Sequence, residues 1–140
     1  MKLHLWLASI LTFAFVAFAV SMAPAHSQEY KAGDHLYAEA LLCDTKEQIL
    51  DVITLTYGGE MKMETAMEIV NDDAKMLACA VMVVQFVVSE VLGTITAERH
   101  AATVYEVVVF AALNPKTMRL DQVPPTKQYT IHIVNAGEQL

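Results

Sequence analysis

CAVMVVQFVV, residues 79–88, carries one polar side chain, Gln85, among Val, Phe and Met, and shows no polar face at helical spacing. Such a run predicts a strand covered on both sides. Even counted from Met76 to Val88, the apolar stretch spans 13 residues, too few to cross a bilayer as a helix.

Upstream of it the periodicity is helical. Leu36 to Cys43 reads as a first strand, and Asp44-Thr45 follows, with Gln48 three residues after Thr45. That spacing is a capping box, so a helix starts there. Ile49, Ile53 and Tyr57, with Leu50 and Val52, form its apolar stripe, while Glu47, Asp51 and Thr54 take the wet side. Gly58-Gly59 predicts a left-handed stop. A second helix is expected from about Met61 to Asn71, with Met63, Ala66, Met67 and Val70 inward and Glu64, Glu68 and Asp72 outward.

Downstream, Ser89-Glu90 predicts a turn into a strand over Val91 to Thr96, with Gly93 at a bulge. After a loop over Glu98 to Ala102, Thr103 to Leu113 predicts another strand. Tyr105, Val107, Val109 and Ala111 share one of its faces and Val104, Glu106, Val108 and Phe110 the other. Lys116 to Pro125 reads as a stiff connector. Tyr129 to Val134 reads as a last strand, Tyr129, Ile131 and Ile133 facing in and Thr130 and His132 out. The expected fold is α+β: an antiparallel sheet of four to five strands packed against two short helices, in the order β-α-α-β-β-β-β.

The start of the chain gives an address. Met1-Lys2-Leu3-His4 is a basic head, Leu5 to Val20 is a 16-residue apolar run, and both Ala23-Pro24-Ala25 and Ala25-His26-Ser27 fit a small-x-small cleavage site. These features predict a signal peptide over residues 1–27, cut before His26 or Gln28, and one domain over 28–140. An uncleaved anchor needs a longer run, and residues 26–35 read as a loose lead-in. The expected location is the periplasm or the medium, with no stable membrane insertion after cleavage.

Cys43 and Cys79, the only cysteines, lie 36 residues apart in the exported part. An even count in an oxidising compartment predicts one structural disulfide between them, stabilising by about 3 to 4 kcal/mol on the chain-entropy model. A redox pair would need Cys-x-x-Cys spacing, which is absent. The pairing suits strands that run antiparallel side by side, pinning the helical excursion at its neck.

Cys43-Asp44-Thr45, Glu47-Gln48, Ala78-Cys79, Tyr105 to Val109, Val123-Pro124-Pro125 and Gln128-Tyr129-Thr130 together resemble the skeleton of small exported bacterial proteins with two cysteines. The resemblance spans about residues 40–131. It implies bacterial export and the disulfide, and no activity.

Charge narrows the partners. The chain carries 9 Lys+Arg against 16 Asp+Glu, and loss of Lys2 with the leader makes the remainder one unit more negative than −7. An acidic surface without a basic cluster disfavours nucleic acid and anionic lipid.

The sharpest ligand set is Met61, Met63 and Met67, because soft thioethers bind Cu(I) outside the cytoplasm. The same stripe is more simply core packing between helix and sheet. His35, His100 and His132 have no zinc-site spacing. No G-x-S-x-G surrounds Ser89, the only serine after Ser27. Glu64 with Glu68, and Asp72 with Asp73, would serve acid-base chemistry only inside a pocket. Gly58-Gly59 follows a helix instead of opening one, so no phosphate loop is formed. The sequence therefore predicts no catalytic residue, cofactor or resident metal. The expected function is a non-enzymatic binding or inhibitor-type module of the cell envelope whose partner is an envelope or extracellular protein or polymer. The alternative is an extracytoplasmic copper protein using Met61, Met63 and Met67.

Overall fold

The computed structural model describes residues 29–97 and 100–135. The expected signal peptide over 1–27 and its cleavage sites lie outside the described residues. The chain forms strand β1 (His35–Cys43), helix α1 (Lys46–Ile53), a π-helical turn (Thr54–Gly58), helix α2 (Met63–Ala74) and strands β2 (Cys79–Ala97), β3 (His100–Asn114) and β4 (Arg119–Asn135). This is the expected α+β fold with four antiparallel strands and two helices.

The capping box forms as read: Thr45 Oγ1 accepts the Gln48 N–H at 3.2 Å, and Gln48 Oε1 accepts the Thr45 N–H at 3.0 Å. Ile49, Val52 and Ile53 are buried. The end of the helix differs from expectation, because α1 passes into the π-helical turn and Gly59 has φ −106°, with no left-handed glycine there. Gly59 is required for space: a Cβ would stand 2.8 Å from the Leu55 carbonyl oxygen. The left-handed positions fall instead on Glu60 and on Lys75, which caps α2 after the helix runs three residues past the expected end at Asn71, to Ala74.

β2 is one strand where two were expected. Ser89-Glu90 makes no turn, because register shifts between Val88 and Glu90 and between Val91 and Gly93 absorb Ser89 and Leu92 as bulges. Gly93 sits at the expected bulge with φ 139°. Ala101 and Ala102, expected in a loop, pair within β3. The expected connector is also largely strand, since β4 begins at Arg119 after a tight turn closed by Met118 N–H to Asn114 O at 2.8 Å. Its two prolines are tolerated because Val109 pairs with Thr126 and Ala111 with Gln122. Val123-Pro124-Pro125 thereby bulge out of the ladder, where a missing N–H costs nothing.

β1 pairs with β2 along its whole length, from His35↔Val87 to Cys43↔Cys79, so the cysteines face each other across adjacent strands. Their disulfide forms, with Cα atoms 4.2 Å apart and both residues buried. The sheet then curls until β4 returns to β1 and closes a barrel. Curling gives the sheet two cores. Leu41, Cys43, Ala102 and Val104 pack under the helices with Ile49, Val52, Ala66 and Val70. On the other face, which closure makes the barrel interior, Leu42, Val84, Phe86, Val88, Tyr105, Val107 and Val109 pack on one another. Thr130 and His132 were expected to face solvent. Closure covers them: Thr130 is buried and His132 half-buried, so both faces of β4 are occupied.

The lead-in is not loose but tied down from Tyr30 onward. Gly33 N–H donates to Val88 O at 2.8 Å and Val88 N–H to Asp34 O at 2.9 Å, while Tyr30 N–H donates to Tyr105 Oη at 3.2 Å.

Candidate functional site

Closure of the barrel is incomplete. β4 meets β1 only at Leu42↔Thr130 and Cys43↔Tyr129, although β1 runs back to His35 and β4 on to Asn135. Beyond these two pairs the strands diverge and leave a gap in the wall. Thr130 Oγ1 holds the apex by donating to Leu41 O at 2.7 Å in a buried bond. The disulfide sits beside the same apex through Cys43.

The gap is a cleft of about 510 Å³. It lies within the range of small-molecule sites, about 300 to 1,000 Å³. Its lining shows that it pierces the wall. Ala38, Ala40, Phe86 and His132 reach it from the interior face, and Leu41, Ile131, Ile133, Met63 and Met67 from the helix-covered face. The rim carries Glu39 from β1 and Glu64 from the first turn of α2, both exposed.

Tyr30 stands at the interior end of the cleft. Its ring stacks on His132 at 4.9 Å and meets Tyr105 at 5.3 Å and Phe86 edge-on at 6.5 Å. Burial pushes the Tyr105 phenol above its usual range, so its oxygen stays neutral as it accepts from Tyr30 N–H. His132 Nδ1 is buried without a hydrogen-bond partner among the described residues. A sealed, unpaired polar atom costs about 1 to 3 kcal/mol, so this wall is one hydrogen bond short.

The residues singled out from sequence fall in several places. Met63 and Met67 line the cleft, whereas Met61 does not, and all three pack half-buried against the helix-covered core. Glu64 reaches the rim without Glu68, and Asp72 and Asp73 lie exposed at the far end of α2. His35 is exposed with its ring 6.2 Å from Phe110, and His100 lies 5.0 Å from the Tyr57 ring. The three histidines are thus not brought together. Ser89 Oγ lies 3.0 Å from both Glu106 O and Glu106 Oε1 on the outer sheet surface, and Lys127 Nζ is 3.3 Å from the same carboxylate. The Ser89 hydroxyl is thus engaged with this carboxylate, and none of the three described histidines is among its hydrogen-bond partners. Among the described residues no group of three or more His, Cys, Asp or Glu is placed to hold a metal ion, and no helix is long and apolar enough to cross a membrane.

Tyr30, Glu39, Phe86 and Thr130 were not predicted as site residues. Only the small residues Ala38 and Ala40, alternating along an otherwise bulky strand, hinted at space there. No known protein family, curated protein or solved structure matches the chain.

Proposed function

We propose that the protein is an exported, disulfide-stapled binding module of the cell envelope that holds its ligand in the cleft between β1 and β4 without transforming it. The half-open cleft of about 510 Å³ carries this reading. It combines apolar walls with a few polar groups, the usual make-up of a ligand site. Its polar groups are not arranged as nucleophile, base and orienting partner, the relation that acyl-transfer chemistry requires. Export to the periplasm or medium rests on the leader sequence, and the buried disulfide is consistent with an oxidising compartment.

The test is to fill the cleft. Ala38→Phe and Ala40→Phe place bulk on the interior wall. Crosslinking in an envelope fraction is expected to capture one component with the native protein and to lose it with the filled variants. Equal capture by both would remove the cleft from the function.

Copper binding is the second reading, and one observation favours it: Met63 and Met67 line the same cleft as His132. The packing of all three methionines against apolar neighbours supports their role in the core instead.

A further inference from the structure

Resting on the reading of the cleft as a binding site, we infer that its ligand is a free amphipathic amine, an apolar alkyl or aryl body that carries one ammonium group. Charge decides the head group. Glu39 and Glu64 stand on the rim, no Lys or Arg lines the cleft, and neither carboxylate has an ion-pair partner among the described residues. Glu64 stands in the first turn of α2, directly above the cleft-lining Met67 side of the helix.

Hydrogen bonding points the same way. The charged side chains of the lining, Glu39 and Glu64, offer only acceptors. An ammonium has three donors and no acceptor, so it complements this set, whereas a carboxylate head would add acceptors and repulsion.

The walls decide the body. Tyr30 and Phe86 present aromatic surface and Met63 and Met67 polarizable thioethers, all of which take apolar carbon. Aromatic faces also attract a cation. The volume, 510 Å³, matches about 17 waters at about 30 Å³ each, more than one lysine side chain fills. A single lysine side chain would leave most of it empty, so the occupant brings an apolar body of its own.

The experiment titrates the purified, disulfide-bonded protein with decylammonium, decanol and decanoate at neutral pH and low salt, read by calorimetry and by NMR shifts of cleft residues. Decylammonium is expected to bind about 2- to 30-fold more tightly than decanol, with decanoate weakest, from two solvent-exposed ion pairs. Salt is expected to shrink the preference, and Glu39→Gln with Glu64→Gln to abolish it while decanol binding stays. Equal binding of all three, or a preference for decanoate, would overturn the amine inference and leave the cleft as a binding site. Binding of none, with no shifts in the cleft, would overturn both readings.

Discussion

Asn71 ties the last turns of α2 to the start of β2. Its Nδ2 donates to Cys79 O at 2.9 Å, and its Oδ1 accepts from Ala78 N–H at 2.9 Å and Cys79 N–H at 2.7 Å. One side chain thus serves the strand start that carries the disulfide, at groups no strand neighbour reaches. Asn71→Ala is expected to cost about 2 to 3 kcal/mol in urea denaturation, because partly buried backbone groups lose their partners. Asn71→Asp keeps the acceptor and is expected to cost less; equal losses would show that the bonds to Oδ1 contribute nothing. Glu106 is a second residue with a defined role. The hydrogen bond from Ser89 lowers its pKa most, Lys127 and Tyr129 add to this, and partial burial opposes them. With the folded pKa depressed below 4.5, the stabilisation is complete above that value and is lost as pH falls through the folded pKa. Glu106→Gln is therefore expected to lower stability at neutral pH and to flatten its fall below pH 4.5, measured by denaturation across an acid series. A fall as steep as that of the native protein would assign the acid sensitivity to other carboxylates.

At the scale of elements, the barrel is held shut at one place. Cys43 is both a disulfide partner and one of two β1 residues paired with β4, and Thr130 bonds back to Leu41 O. Removing the disulfide with Cys43→Ala and Cys79→Ala is expected to cost about 3 to 4 kcal/mol on the chain-entropy model. Thr130→Val removes this buried hydrogen bond and is expected to cost about 0.5 to 1.5 kcal/mol. Both changes act on the apex, so amide exchange should rise at Leu42, Cys43, Tyr129 and Thr130 before it rises in the β2–β3 ladder. Uniform loss of protection would show that the seam has no separate stability. The elements themselves were largely legible, because capping at Thr45 and the apolar runs of β2 and β3 are local signals. Several boundaries were not, and two of them lie within strands. Ser89-Glu90 looks like a turn, yet bulges absorb polar and glycine residues without ending a strand. Pro124-Pro125 looks like a break, yet three residues bulged opposite Phe110 let the strand continue.

At the scale of the whole molecule, what the sequence concealed was closure. An alternating strand such as β4 reads as half-exposed, and only a partner brought back by curling covers its second face, so His132 and Thr130 were read outward. The cleft was hidden for the same reason: it exists because closure stops after two residue pairs, and neither strand records that locally. The methionines show how placement separates two chemistries that sequence leaves together. A Cu(I) site needs thioethers that converge on one point, while a packing role needs apolar neighbours around each sulfur. Met61, Met63 and Met67 all touch the helix-covered core, and Met61 lies outside the cleft that the other two share. Substituting Met63→Leu and Met67→Leu keeps volume and removes both sulfurs, so stability should change by less than about 1.5 kcal/mol. Decanol binding, driven by apolar contact, should persist in this variant, and micromolar Cu(I) should raise the melting temperature of neither protein. A copper-dependent rise in the native protein that disappears in the double variant would instead make the cleft a copper site, with the thioethers as ligands and its apolar walls as a shield from water.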